Sequence, residues 1–238
     1  MASSAQQEIF AALRGGVRFK SQGANRSRGA PPKQAPEQPE KPPQQREPAF
    51  HSHALRTEEL NALRNARKIR VEGADAPSIF PDLAALSTVA GCPQQLLDNI
   101  AELGWTALTE TQMQSVPALL DERDVLSIAP TGSGKTGAFA IPLLLRLLRG
   151  SPRPGAESSP RALILAPTRE LATQIARETA RLAKDTGISV RALGKQDDVS
   201  AFAECDVLVS TPLRLATLLT AQPGMRLAAV EILVVRPR

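Results

Sequence analysis

From residue 78 onward, short apolar runs alternate with stretches whose apolar residues recur every three or four positions. Runs of the first kind read as strands covered on both faces, and the second pattern reads as helices with one buried stripe. The expected strands are Asp124–Ala129, Arg161–Ala166, Ser189–Leu193, Cys205–Ser210 and Val230–Val235. The expected helices are Gln94–Glu102, Gln112–Leu120, Thr136–Leu148, Arg169–Lys184 and Leu213–Thr220, with Ser151–Pro160 a polar, Pro/Gly-rich loop. Strands and helices taking turns in this way are βαβ units, so the fold class is α/β with a parallel sheet.

The first 77 residues have a different texture. Ile9, Phe10 and Leu13 share one helical face until Gly15-Gly16 ends the pattern, which makes Gln6–Arg14 a short amphipathic helix. Residues 21–50 are rich in Gly, Arg, Gln and Pro, with seven prolines from Pro31 to Pro48, and such a stretch cannot sustain a backbone hydrogen-bond ladder. Disorder is expected there. Thr57–Lys68 regains a helical pattern through Leu60 and Leu63, with Glu early and Arg/Lys late, the polarity that the helix dipole favours. The expected organisation is therefore an N-terminal extension, 1–77, followed by a folded domain over 78–238.

Composition narrows the function classes. Apolar residues make up 42% but aromatic ones only 3%, with no Tyr and one Trp, so an aromatic base-stacking RNA platform is excluded and the core must be aliphatic. Cys92, Cys205, His51 and His53 are too few and scattered for a zinc cluster or a disulfide framework. No apolar run reaches the roughly 18 residues of a membrane span, and the start lacks the order of a signal peptide, so a soluble intracellular protein without membrane contact is expected. The net charge of +5 is unevenly placed: residues 1–76 hold 13 Lys and Arg against 8 Asp and Glu, and the remainder is balanced. A basic N-terminal third is either a solvated tail or a weak attractor of nucleic acid.

The sharpest chemical signal is Ala129-Pro130-Thr131-Gly132-Ser133-Gly134-Lys135-Thr136, between an expected strand and an expected helix. Ala129 stands where the generic phosphate-loop pattern has Gly, but Gly132 and Gly134 still let the backbone curl so that its N–H groups converge on one anion. Lys135 then reaches the outer phosphates, the Thr136 hydroxyl suits Mg²⁺, and the following helix adds its positive end.

Three further segments specify which nucleotide-binding family is in view. Gly104-Trp105 through Gln112, the loop, Pro167-Thr168-Arg169-Glu170-Leu171-Ala172 and Thr211-Pro212-Leu213-Arg214 follow one another in this order, and together they resemble the DEAD-box ATP-dependent RNA helicases. The resemblance covers roughly residues 69–235 and implies the first RecA-like domain, a P-loop NTPase fold, with the Q motif over about 80–116. Ile69–Pro77 ahead of Phe80, the Ile9-Phe10, Gly15 and Phe19-Lys20 segment, and Gly194-Lys195 in place of the usual Gly-Gly pair are similar to the Rok-type branch, which acts in small-subunit ribosomal RNA processing.

By that resemblance ATP and Mg²⁺ are the cofactors. Phe80, Gln112, Thr131, Gly132, Ser133, Gly134, Lys135 and Thr136 hold ATP, with Phe80 stacking on adenine, and Thr136 is the metal residue. The primary amide of Gln112 matches the N6/N7 edge of adenine, although an exposed glutamine at a helix start is the plain alternative. Pro167, Thr168, Arg169, Thr211, Pro212 and Arg214 lie on the RNA backbone. Physically, Thr168 and Thr211 each stand between a strand end and a helix, where they cap the helix and leave N–H groups facing outward. The implied partners are RNA, especially pre-ribosomal RNA, and ribosome-assembly proteins through the N-terminal extension; the implied location is the nucleolus.

The sequence departs from this family after Val235. The family's strand runs into Asp-Glu-Ala-Asp, whereas this one runs into Arg236-Pro237-Arg238. The carboxylates that hold Mg²⁺ through water and orient the attacking water have no counterpart, so no catalytic residue is assigned and no ATP hydrolysis is expected. The resemblance also implies that the strand normally lying between Asp124–Ala129 and Val230–Val235 is lacking, so these two either keep unpaired edges or pair directly. Two rival readings remain: a non-catalytic RNA- or partner-binding form, and an unrelated P-loop enzyme such as a small kinase.

Overall fold

A computed structural model describes residues 57–73, 75–150, 160–194, 205–221 and 227–237. Contacts divide the chain into units 1–46 and 47–238, and all of the first unit falls outside the described residues. So do the expected helix Gln6–Arg14, the expected disorder over 21–50, most of the 151–160 loop and Lys195.

The described elements are α1 (Thr57–Ala66), α2 (Ala84–Ser87), α3 (Gln94–Glu102), α4 (Glu110–Leu120), α5 (Lys135–Arg149), β1 (Ala162–Leu165), α6 (Arg169–Leu182), β2 (Val190–Ala192), β3 (Val207–Ser210), α7 (Pro212–Ala221) and β4 (Ile232–Val235). The strands form one parallel sheet in the order β2-β3-β1-β4. Every expected helix from Gln94 onward is present, within two residues at either end. The short α2 was not anticipated from periodicity, because four residues are too few to show one; Asp82 Oδ1 accepts from Ala85 N at 3.0 Å and starts that turn.

Strand pleating sorts the core into two faces. Ala162 and Ile164 of β1 and Val207 and Val209 of β3 join α3, α4, α5 and α6 in the main cluster, whereas Leu163 and Leu208 point the other way to Leu215 and Leu218 of α7. Ile232 and Val234 of β4 pack on the main cluster. Leu60 of α1 is buried in the same cluster, and Arg64 Nη2 donates to Pro77 O at 2.9 Å, so α1 packs on the body that the sequence pattern placed from residue 78 onward.

Asp124–Ala129 is not a strand. The stretch makes no ladder with any described strand, and Leu126 and Ile128 are 86% and 91% exposed. A strand is defined by its neighbour, and here β4 pairs with β1 on one edge only. Of the two outcomes anticipated for this pair, unpaired edges and direct pairing, the structure has the first.

Asn99 on α3 is fully enclosed, and its Nδ2 donates to Leu182 O at 2.8 Å and Lys184 O at 2.7 Å, closing the carboxyl end of α6. Asn99→Ala orphans both carbonyls and should lower stability by about 2 kcal/mol, read as a shift of the urea midpoint at unchanged slope.

Candidate phosphate-binding site

The loop before α5 is held mainly from the side of α4. Thr109 caps α4: its hydroxyl accepts from Gln112 N at 3.3 Å, while Gln112 Oε1 accepts from Thr109 N at 3.0 Å, a reciprocal capping box. The same two side chains then reach the loop. Thr109 Oγ1 donates to Ser133 O at 2.8 Å and Gln112 Nε2 donates to Gly134 O at 3.1 Å. Gln112 is only 2% exposed, which removes the reading of an exposed helix-start glutamine.

Glycine is required here for two different reasons. Gly132 and Gly134 have φ of 82° and 74°, the left-handed region, and the carbonyl of Gly134 accepts the first helical bond of α5 from Ala138 N at 3.1 Å. Gly137 lies in the helix, yet a Cβ there would stand 2.5 Å from Gln112 Nε2 and 2.7 Å from the Trp105 ring. Gly137 and Thr109 are site-building residues that the motif reading did not single out. Thr109 was findable, because Thr-x-x-Gln ahead of an apolar run is the capping-box signature. Gly137 was not, since only the approach of Trp105 reveals its role.

Lys135 Nζ donates to Ala129 O at 2.7 Å and Pro130 O at 2.5 Å, so its ammonium lies across the mouth of the loop. Its pKa is lowered from the usual lysine value, first by desolvation and then by the charge of Arg236. An anion at the loop offsets both costs. Ser133 Oγ is buried without a hydrogen-bond partner, and Thr131 is exposed at the rim. An orphaned hydroxyl, a lysine satisfied only by carbonyls and the amino end of a 15-residue helix fit the phosphates of a nucleotide. They do not fit Mg²⁺. Thr136 supplies a hydroxyl, but Arg236 brings a second cation close to Lys135, where the metal would need a further oxygen ligand.

Phe80 is placed beside this junction but not in the open. Its N–H donates to Met113 O at 2.8 Å, next to Gln112, and its ring is 1% exposed within the core. In this conformation it presents no face for a base to stack on.

The second group of residues gathers at the carboxyl edge of the sheet. β1 and β3 are adjacent, with Leu165 opposite Ser210, and each runs into a capped helix. Thr168 Oγ1 accepts from Leu171 N at 3.3 Å and Thr211 Oγ1 accepts from Arg214 N at 3.3 Å. Thr168 and Arg169 are exposed, as is Pro212, while Pro167 is half-buried. Arg214 Nε donates to Gly194 O at 2.9 Å, which fixes the guanidinium against the end of β2. Glu170, in the first turn of α6, has its pKa lowered by its own backbone N–H and then by the Thr168 hydroxyl. α6 and α7 lie on opposite faces of the sheet, and their amino ends both follow the carboxyl ends of adjacent strands, the usual ligand side of a parallel sheet.

Between β4 and the 122–129 segment lies a cavity of about 710 Å³ lined by Leu126, Ile128, Lys135, Leu233, Val235 and Arg236, among others. A second, of about 830 Å³, reaches from the same segment to Ile69, Thr111 and Gln114. Residues 123–129 separate the two, which accounts for the exposure of Leu126 and Ile128.

Gly137→Ala sets two effects against each other. Alanine in a helix interior gains about 0.5–1 kcal/mol of backbone entropy over glycine, but overpacking a filled site costs about 1–3 kcal/mol. Gln112 and Trp105 are both committed, so overpacking wins: the variant should melt below the parent and bind nucleotide more weakly, as a thermal scan with and without ADP will show.

Comparison with known proteins agrees with this geometry. A family model described as DEAD/DEAH box helicase matches residues 109–235, from the cap of α4 to the end of β4. The chain is 40% identical over 188 residues to the probable ATP-dependent RNA helicase DDX52 of Bos taurus, covering 76% of this chain and 31% of that protein. It is 34% identical over 189 residues to the ATP-dependent RNA helicase ROK1 of Eremothecium gossypii, covering 74% and 32%. The chain thus spans about a third of the length of these relatives. Among solved structures, the RNA helicase Prp28 of Chaetomium thermophilum bound to ADP superposes with a TM-score of 0.67 at 26% identity, over 78% of this chain and 45% of that one. Its fold is RecA-like, and the matched span contains the capping box, the phosphate loop and both capped strand ends: the chain belongs to the DEAD/DEAH box helicase family.

Proposed function

We propose that this chain carries the ATP-binding face and the RNA-backbone face of an ATP-dependent RNA helicase acting in small-subunit ribosomal RNA processing in the nucleolus, and that the chain itself does not hydrolyse ATP. The observation that carries the reading is the convergence of Lys135, Ser133 and the Gln112–Gly134 bond at the start of α5, beside a sheet edge with two capped strand ends. Gly132, Gly134, Lys135 and Thr136 hold the phosphates, Thr131 lies at the rim, and Gln112 reads the adenine edge with the hydrogen-bonding capacity its internal bonds leave over. Pro167, Thr168 and Arg169 on one strand end, and Thr211, Pro212 and Arg214 on the next, follow the RNA backbone by charge and N–H donors, without base readout. Pre-ribosomal RNA as the substrate rests on the likeness to ROK1 and DDX52. Inactivity rests on Arg236, which follows β4 at the position where the family has an acid.

The test separates the two faces. Lys135→Ala should weaken binding of a fluorescent ADP at least tenfold and leave RNA affinity unchanged. Arg169→Ala, at an exposed position, should do the reverse and reduce the salt slope of single-stranded RNA binding by about 0.7. Multiple turnovers of ATP by the unaltered chain with RNA present would refute the inactivity. RNA binding retained by residues 1–76 alone and absent from the rest would instead favour a basic-tail binder.

A further inference from the structure

The pleat of β4 determines where Arg236 lies. Ile232 and Val234 face the main core under α5, Leu233 and Val235 face away, and Arg236, next in alternation, returns to the α5 side. Its own N–H donates to Leu165 O at 2.8 Å, so the backbone at this point still belongs to the sheet. Arg236 therefore stands at the carboxyl end of β4, opposite the first turn of α5, where Lys135 begins the helix. Both side chains line the same 710 Å³ cavity, together with Thr131.

The acids that share this cavity are at its other end. Glu231 precedes β4, about 16 Å from Arg236 along an extended strand, and is paired with Arg161 at 3.0 Å. Glu122 and Asp124 follow the carboxyl end of α4, an 11-residue helix about 16 Å long whose amino end is the Thr109 cap bonded to Ser133. The phosphate end of the cavity thus carries two cations and no described carboxylate. A divalent metal beside Lys135 would meet a second positive charge where it needs an oxygen ligand.

We propose that Arg236 and Lys135 form a metal-independent clamp for the terminal phosphates of a nucleoside di- or triphosphate, the guanidinium neutralising the charge that Mg²⁺ otherwise carries. This rests on the phosphate-loop reading above and specifies the form in which the nucleotide binds. A planar guanidinium suits the task, because its forked donors match two phosphate oxygens at once. Such a site holds nucleotide, and no described carboxylate stands at its phosphate end to activate water.

The experiment is equilibrium binding of ADP and ATP to the full chain by calorimetry, in Mg²⁺ and in EDTA. The parent should bind with dissociation constants that agree within about twofold in the two conditions, since the clamp replaces the metal's charge. Arg236→Asp should weaken binding in EDTA at least tenfold and recover it in Mg²⁺. Arg236→Gln, which removes charge without adding an acid, should weaken binding in both; it also serves if the aspartate variant does not fold, with folding checked by thermal melting. Parent binding that tightens tenfold or more on adding Mg²⁺, or an Arg236→Gln affinity equal to the parent's in EDTA, overturns the clamp while leaving the phosphate loop intact. No nucleotide binding in either condition, or binding unaffected by Lys135→Ala, overturns the loop reading and the clamp with it.

Discussion

The loop in front of α5 depends on one junction, the pair of side chains Thr109 and Gln112. In a parallel α/β sheet a phosphate loop is ordinarily fixed from both ends, by the strand that enters it and the helix that leaves it. Here the entering segment has no ladder, so its position carries little restraint from the sheet. The restraint comes from α4, whose capping box doubles as a clasp on Ser133 and Gly134. Gly137 is what permits α5 to lie close enough for that clasp, because any side chain there would meet Gln112 and Trp105. One amide and one hydroxyl thus link helix start, loop curvature and the packing of α4 on α5.

The other face uses a simpler device. β1 and β3 are neighbours in the sheet but lead into helices on opposite sides, and each transition is made by a threonine that spends its hydroxyl on capping. Each cap takes up one first-turn N–H, that of Leu171 at one site and of Arg214 at the other, so the positive end of the helix dipole, rather than a full set of donors, is what each site offers an anion. Glu170 stands beside one of these ends, its pKa held down first by its own backbone N–H and then by the Thr168 hydroxyl, and its negative charge opposes an anion there. Arg169 beside it supplies the compensating cation. In the proposed function the balance of these two charges, set within one helical turn, would govern the salt dependence of RNA-backbone binding at this edge.

Much of this was legible in the sequence, and the exceptions have physical causes. Long amphipathic helices such as Arg169–Leu182 are fixed by their own periodicity, and capping threonines announce their ends. The phosphate-loop motif stands out in the sequence because the chemistry it implies dictates its residue types. Asp124-Val125-Leu126-Ser127 and Asp206-Val207-Leu208-Val209 are nearly the same text, yet in the second Val207 to Val209 belong to a buried strand and the first lies unpaired with Leu126 almost fully exposed. Nothing local distinguishes them; the difference is whether a free strand edge lies alongside, and that is a property of the sheet. Phe80 is ambiguous in sequence for a related reason. An aromatic suited to stacking on a base is equally suited to a core, and this structure puts it in the core against Met113.

The unpaired edge also constrains how the chain behaves in solution. Ile232–Val235 is an apolar strand whose outer side pairs with no described element, and Leu233 and Val235 are at least half exposed, as Leu126 and Ile128 are across the cavity. Such an edge is a template for strand addition, and proteins blunt it with charge and proline. Glu231, Arg236 and Pro237 bracket this strand in that manner. Arg236 therefore answers two demands at once: it sets a cation at the phosphate end of the cavity and guards the end of an exposed strand. An acid at this position would change the sign of the phosphate site while leaving the edge guarded, because edge protection needs only charge. The phosphate site is the demand that depends on the sign, so exchanging arginine for aspartate separates the two roles.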